Sequence, residues 1–260
     1  MWPKRLGARC SVRRRRRWLG AAAALATGAA APAVAQSPRA ANPERPTFAT
    51  HAYAVAPGYA ELEQGLAARG TGSLRDATSW DVNFKVGLSR HVQLGLFGPL
   101  YARASAGSGV GDLGAALKVR TDLSPRAAVA LVPSVTAPTG SEARGLGAGR
   151  ALGGLVALVS ADLPGVHVDV NAGPQGVGAG APQWFVSLGG SRTFGHVGLA
   201  VELFEFTPGG AGSRLAGVLG AVTIRLAEWA VVDAGGAAGA TDGTPDQVFV
   251  GITTNLGRLF

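Results

Sequence analysis

The chain has 260 residues and a formal net charge of +8, from 24 lysines and arginines against 16 acids. Lys4, Arg5, Arg9 and Arg13 through Arg17 supply that excess, and residues 1–35 contain no acid, so the remainder is neutral and offers no basic face for nucleic acid. With 40 glycines and only 15% charged residues, the composition suits crowded, twisted strands better than helices.

Residues 1–35 carry the three parts of a cleaved signal peptide. A basic region ends at Arg17, an Ala-rich apolar run extends from Trp18 to about Ala31, and Ala33-Val34-Ala35 precedes a cleavage point at Gln36. Cys10 is the sole cysteine and precedes the apolar run, which argues against a lipid anchor and leaves the processed chain without disulfides or thiolate metal sites. Residues 36–54 are rich in Pro, Ala and polar residues without a period, and read as a flexible periplasmic lead-in. Residues 55–260 form the remaining domain.

That domain divides into twelve segments of roughly 8–13 residues, the length a tilted strand needs to cross a bilayer. They fall at about 57–68, 79–88, 91–98, 110–121, 126–136, 150–161, 165–173, 182–193, 196–206, 214–225, 229–238 and 247–259. Val82, Phe84, Val86 and Leu88 interleave with Asp81, Asn83, Lys85 and Gly87; Val197, Leu199, Val201 and Leu203 flank Gly198, Ala200 and Glu202. A period of two with charge on one face marks half-buried strands. Pro133, inside the fifth segment, removes a ladder donor and predicts a bulge or distortion there.

Connection lengths separate a barrel from a sandwich. Tight turns at Ser89-Arg90, Asp122 to Pro125, Asp162 to Pro164, Gly195 and Leu226 to Glu228 alternate with longer stretches at 69–78, 99–109, 137–149, 174–181, 207–213 and 239–246. An even strand number then gathers short turns on one rim and loops on the other. In lipid only helices and closed barrels satisfy their backbones. The expected fold is therefore all-β: a transmembrane antiparallel up-and-down β-barrel of about 12 strands. Trp80, Trp184, Phe204, Phe206 and Phe249 are expected near the loop rim and Trp229, Phe194 and Phe260 near the turn rim, as interfacial aromatics in outer-membrane lipid. A last strand ending on Phe260 would address the barrel-assembly machinery.

Gly111-Asp112-Leu113-Gly114-Ala115-Ala116-Leu117-Lys118-Val119-Arg120 resembles the "GDL…L-K-Y-R" strand of the outer-membrane barrel family named for the MetA pathway of phenol degradation. Pro133-Ser134-Val135-Thr136-Ala137-Pro138-Thr139-Gly140 is similar to that family's "lPTG" segment, and Ser160-Ala161-Asp162-Leu163 to the close of its next strand. Val119 stands where the family carries an aromatic, and Leu256 to Phe260 runs two residues longer than its pattern. Over residues 75–260 the resemblance implies an outer-membrane barrel and favours hydrophobic or aromatic solutes.

Chemistry-bearing motifs are few. Gly109 to Gly114 spells G-x-G-x-x-G, but a loop precedes it and an alternating strand follows, which is no dinucleotide site. No G-x-S-x-G nucleophile elbow exists. His51, His91 and His196 lie in the lead-in or at turns, whereas His167 shares a strand face with Asp169 and is the best acid–base candidate. Lumen-lining candidates are Asp81, Lys85, Asp112, Lys118, Arg120, His167, Asp169, Glu202, Arg225 and Asp233, with Glu61, Glu63, Asn83 and Gln93 on the same face. The reading is a channel for passive uptake of small molecules, not an enzyme, with neither cofactor nor metal, and with selectivity set by lumen side chains. The alternatives are a barrel-embedded hydrolase using His167 with Asp169, and a structural or adhesive protein acting through its loops.

Overall fold

The computed structural model describes residues 37–260; the expected signal peptide and Cys10 lie outside the described residues. Twelve long strands make the body: β1 (Tyr59–Gly70), β2 (Ala77–Ser89), β3 (Val92–Ala104), β5 (Leu113–Ser124), β6 (Ala127–Ala137), β7 (Leu152–Leu163), β8 (Val166–Gln175), β9 (Gln183–Phe194), β10 (Val197–Phe206), β11 (Leu215–Ala227), β12 (Ala230–Gly239) and β13 (Asp246–Arg258). A short β4 (Gly107–Gly109) only prolongs the end of β3. Each long strand pairs antiparallel with its sequence neighbours, and β1 pairs with β13 as well as β2. The sheet is a closed twelve-stranded barrel.

Five two-residue turns gather on one rim: Arg90-His91, Pro125-Arg126, Pro164-Gly165, Gly195-His196 and Glu228-Trp229. Gly165 and Gly195 adopt left-handed φ of 82° and 62°, which lets so short a reversal match the twist of its strands. The opposite rim carries the longer connections.

Two local departures from the sequence reading have physical causes. Gly98-Pro99 reads as the end of a strand, yet β3 continues to Ala104. Gly98 takes φ of 141°, and the ladder with β2 steps over Leu100 between Trp80 and Asp81, so the break is absorbed as a bulge. At Pro133 the register with β7 is unbroken, opposite Leu155. On its β5 side the pairing lapses between Ala116↔Ser134 and Val119↔Leu131 and resumes in the same register. The missing donor leaves a gap in the ladder without bending it into a bulge.

The faces are inverted relative to a soluble protein. Leu131, Val159, Leu188, Leu203, Val218 and Val250 point outward and are exposed, whereas Lys85, Lys118, Ser160, Asn171, Glu202 and Asp233 are buried within. Trp80, Trp184, Trp229 and Phe260 are all exposed. Phe204 and Phe249 are not belt aromatics: both are buried, because Phe204 is in phase with Glu202, and Phe249 with Thr253, on the inner face. They join Phe185, Leu158, Val156 and Leu219 in an apolar cluster inside the barrel, against which Phe206 packs.

Candidate functional site

The lumen is occupied by the chain itself. Residues 37–57 run through the barrel and bond to its wall, where residues 36–54 were expected to be a flexible periplasmic lead-in and residues from 55 onward part of the barrel. The segment is not β-structure, so its N–H groups need acceptors, and inward-facing side chains provide them. Asn42 and Glu44 donate to Glu61 and Glu63 at 2.8 and 2.6 Å. Phe48 and Ala49 donate to the two oxygens of Glu202 at 2.8 and 2.6 Å. Thr50, Ala52 and Val55 donate to Asn171, Ser160 and Gln93 at 2.8, 2.7 and 2.8 Å. Ala49, Ala52 and Val55 are fully covered by the wall, and their small size lets the backbone come this close.

Ion pairs reinforce these bonds. Lys85 Nζ lies 2.8 Å from Glu63 and 3.1 Å from Glu61, and donates to the Asn42 carbonyl at 2.9 Å. Lys118 Nζ meets Glu44 at 2.6 Å and donates to the His51 and Tyr53 carbonyls at 2.8 and 3.2 Å. Arg45 reaches Asp233 through two contacts of 3.3 Å. The partners lie on β1, β2, β3, β5, β7, β8, β10 and β12, so the segment is tied around the whole circumference.

Two titratable groups of the segment are shifted. Burial alone would raise the Glu44 carboxyl, but the Lys118 and Lys85 ammoniums reverse the sign and hold it below the usual carboxylate range. Burial pushes the His51 imidazole down to about 3, and Lys118 adds to the shift. The ring is neutral, and both its nitrogens are buried without a hydrogen-bond partner.

The sequence-derived residues have distinct places. Lys85, Lys118, Glu202 and Asp233 hold the segment directly. Asp81 accepts from Ser79 at 2.6 Å and pairs with Arg69 at 3.6 Å. Arg120 pairs with Asp122 and sits 5.2 Å over the Tyr53 ring. Asp112 does not line the lumen: its carboxylate accepts from Gly140 and Ala148 at 2.9 and 2.7 Å and pins the 138–151 loop. It lies just before β5, beyond the wall. Sequence reasoning missed Glu44, Arg45, Phe48 and Ser160, whereas Asn171 lies on the inner face it shares with His167 and Asp169. The available signal was the surplus of inward acceptors, notably Glu202, for which the strand pattern supplies no donor.

His167 and Asp169 do come together, in a carboxylate-bracketed arrangement. His167 Nδ1 is 2.7 Å from Asp162 and Nε2 is 3.1 Å from Asp169. Ser160 Oγ donates to Asp169 at 2.5 Å while accepting from Ala52. Both ring nitrogens are engaged by carboxylates, so no imidazole nitrogen faces the hydroxyl as a base activating a nucleophile would. The cluster works as a polar brace.

Beside the segment lies a cavity of about 980 Å³, lined by Arg45, His51 and Tyr53 of the segment and by Arg120, His167, Asp169 and Arg225 of the wall. It also borders Pro125, Pro164 and His196, which places its mouth at the short-turn rim. On the loop side the lumen is aromatic. Phe48, at the tip of the segment, tilts against Phe204 at 4.6 Å and meets Phe206 edge-on at 6.3 Å, while Phe185 stacks on Phe206 at 4.7 Å.

No family model and no curated protein sequence matches the chain, so the resemblance to the phenol-degradation barrels rests on the quoted motifs alone. Solved structures do match. The barrel is similar to the KdgM porin at 8% sequence identity and a TM-score of 0.56, over 75% of this chain and 98% of that one. It is equally similar to the KdgM porin in complex with disordered oligogalacturonate, at 7% identity and a TM-score of 0.56 over the same 75% and 98%. The NanC porin matches at 8% identity and a TM-score of 0.53, over 75% of this chain and all of that one. At these identities the likeness is one of fold, and the chain has the architecture of a twelve-stranded porin-like barrel.

Proposed function

We propose that the protein is an outer-membrane channel, exported by a cleaved signal peptide, that lets small molecules pass passively through its lumen. The observation that carries the proposal is the inversion of faces: an apolar exterior suited to lipid encloses a wall of charged and amide side chains suited to water. Phe185, Phe204, Phe206 and Phe249 on the loop-side inner face, together with the motif resemblance, favour apolar or aromatic solutes. The brace around His167 favours passage over hydrolysis.

Planar-bilayer recording tests the proposal. The mature chain, or a chain lacking residues 37–57, should give stepwise increments of current. Correctly folded protein that inserts and stays silent at every voltage in both forms would overturn the channel.

A further inference from the structure

We infer that residues 37–57 are a removable plug: a loop inserted from the short-turn rim that closes the lumen and opens it by withdrawing to that same side. The inference rests on the channel reading above and adds the device that regulates it.

Three observations carry it. The first is topological. At one end of the segment Ala41 donates to the Glu228 carbonyl in the β11–β12 turn at 2.9 Å, and Asn255 near the end of β13 donates to the Pro38 and Ala40 carbonyls at 3.2 and 3.4 Å. At the other end Gly58 donates to the Gly87 carbonyl at 2.8 Å and accepts from Leu259 at 2.6 Å. Both ends hang from one rim, so the loop can leave without threading a chain end through the barrel and without breaking a strand pair.

The second concerns the attachments. None is a strand ladder. Apart from the backbone bonds at its two ends, they join wall side chains to backbone N–H or C=O groups of the segment or to its polar side chains, and water can replace each of them. Part of the wall keeps its own pairing when the segment leaves, Lys85 with Glu61 and Glu63 and Asp169 with Ser160 and His167, while Lys118, Glu202 and Asp233 exchange their segment partners for water. An emptied lumen is then a wet conduit lined by charges of both signs.

The third is the tip. Phe48 is 38% exposed although its neighbours Ala49 and Ala52 are covered, and it leans on the inward Phe204 and Phe206. A solute arriving from the loop side meets this ring first and competes with it for the aromatic patch.

A reversible cross-link tests the plug on one folded protein. A Cβ built on Gly189 of β9 lies 3.6 Å from the Ala49 Cβ, within disulfide range, and the processed chain has no other cysteine. Ala49→Cys combined with Gly189→Cys should close the channel when oxidised and restore current on reduction, with open probability changing at least about tenfold, since the attachments released are charge-assisted. Arg45→Ala, which removes the segment's hold on Asp233, should raise open probability in the same recordings. Equal current from oxidised and reduced protein, together with no gain in Arg45→Ala, would discard the plug and leave the channel standing. Silence in every form would discard the channel and the plug with it.

Discussion

Lys85→Met should cost the barrel about 3–5 kcal/mol, the largest loss expected from any single substitution, because it leaves buried charge uncompensated. The Lys85 side chain is completely buried, and its ammonium holds Glu61 and Glu63 apart from mutual repulsion while closing on the Asn42 carbonyl. Methionine fills a similar volume but leaves two carboxylates of β1 facing each other in a space water reaches poorly. Adding Glu63→Gln should recover much of the loss, since one charge is removed and an amide can still accept from Glu44. Urea titration of the folded barrel, followed by tryptophan fluorescence and by the migration of unheated samples in gels, gives both numbers. A single-variant loss below about 1 kcal/mol, the worth of an exposed pair, would show that the cluster is open to solvent.

Leu188→Arg should cost about 2–4 kcal/mol in lipid, and Leu226→Arg only about 0–1 kcal/mol, because the penalty for a lipid-facing charge falls from the bilayer midplane to its surface. Leu188 lies midway along β9, half exposed on the outer face and directly opposite Leu203 of β10, while Leu226 lies at the turn end of β11. Folding into phosphatidylcholine vesicles at several urea concentrations separates the two. Equal penalties would mean that the apolar band is not centred where these strands place it.

The twelve strands were legible because every-other-residue patterning and the alternation of turn lengths agree, and neither depends on distant parts of the chain. Val82 to Leu88 and Val197 to Leu203 point as their phase requires. Boundaries were clearest at the two-residue turns, three of which carry Pro or Gly, and poorest at β3, where Gly98-Pro99 resembles a stop until Leu100 is seen bulging against β2. The inner position of Phe204 and Phe249 was also within reach, since phase with Glu202 and Thr253 decides the face and an aromatic ring does not. The segment at 37–57 was not legible for a different reason. Its order comes from acceptors and ammonium donors on eight strands scattered through the remaining sequence, and a stretch with no period of its own carries no trace of them. Asp112 was misjudged because phase alone places a side chain on a face and says nothing of how far along the axis the wall extends.

The cylinder is sealed where β1 meets β13, and the N-terminal segment grips both flanks of that seam. On one flank it holds Asp233 and the Glu228 carbonyl, and Asn255 on β13 itself; on the other it holds Glu61 and Glu63 of β1. The segment is thus a clasp on the junction between the first and last strands. Sealing and clasping are separable events, because a barrel already shut can still receive the loop through its own mouth. A nascent barrel with the clasp absent should therefore close, but more slowly and with a seam more prone to fray.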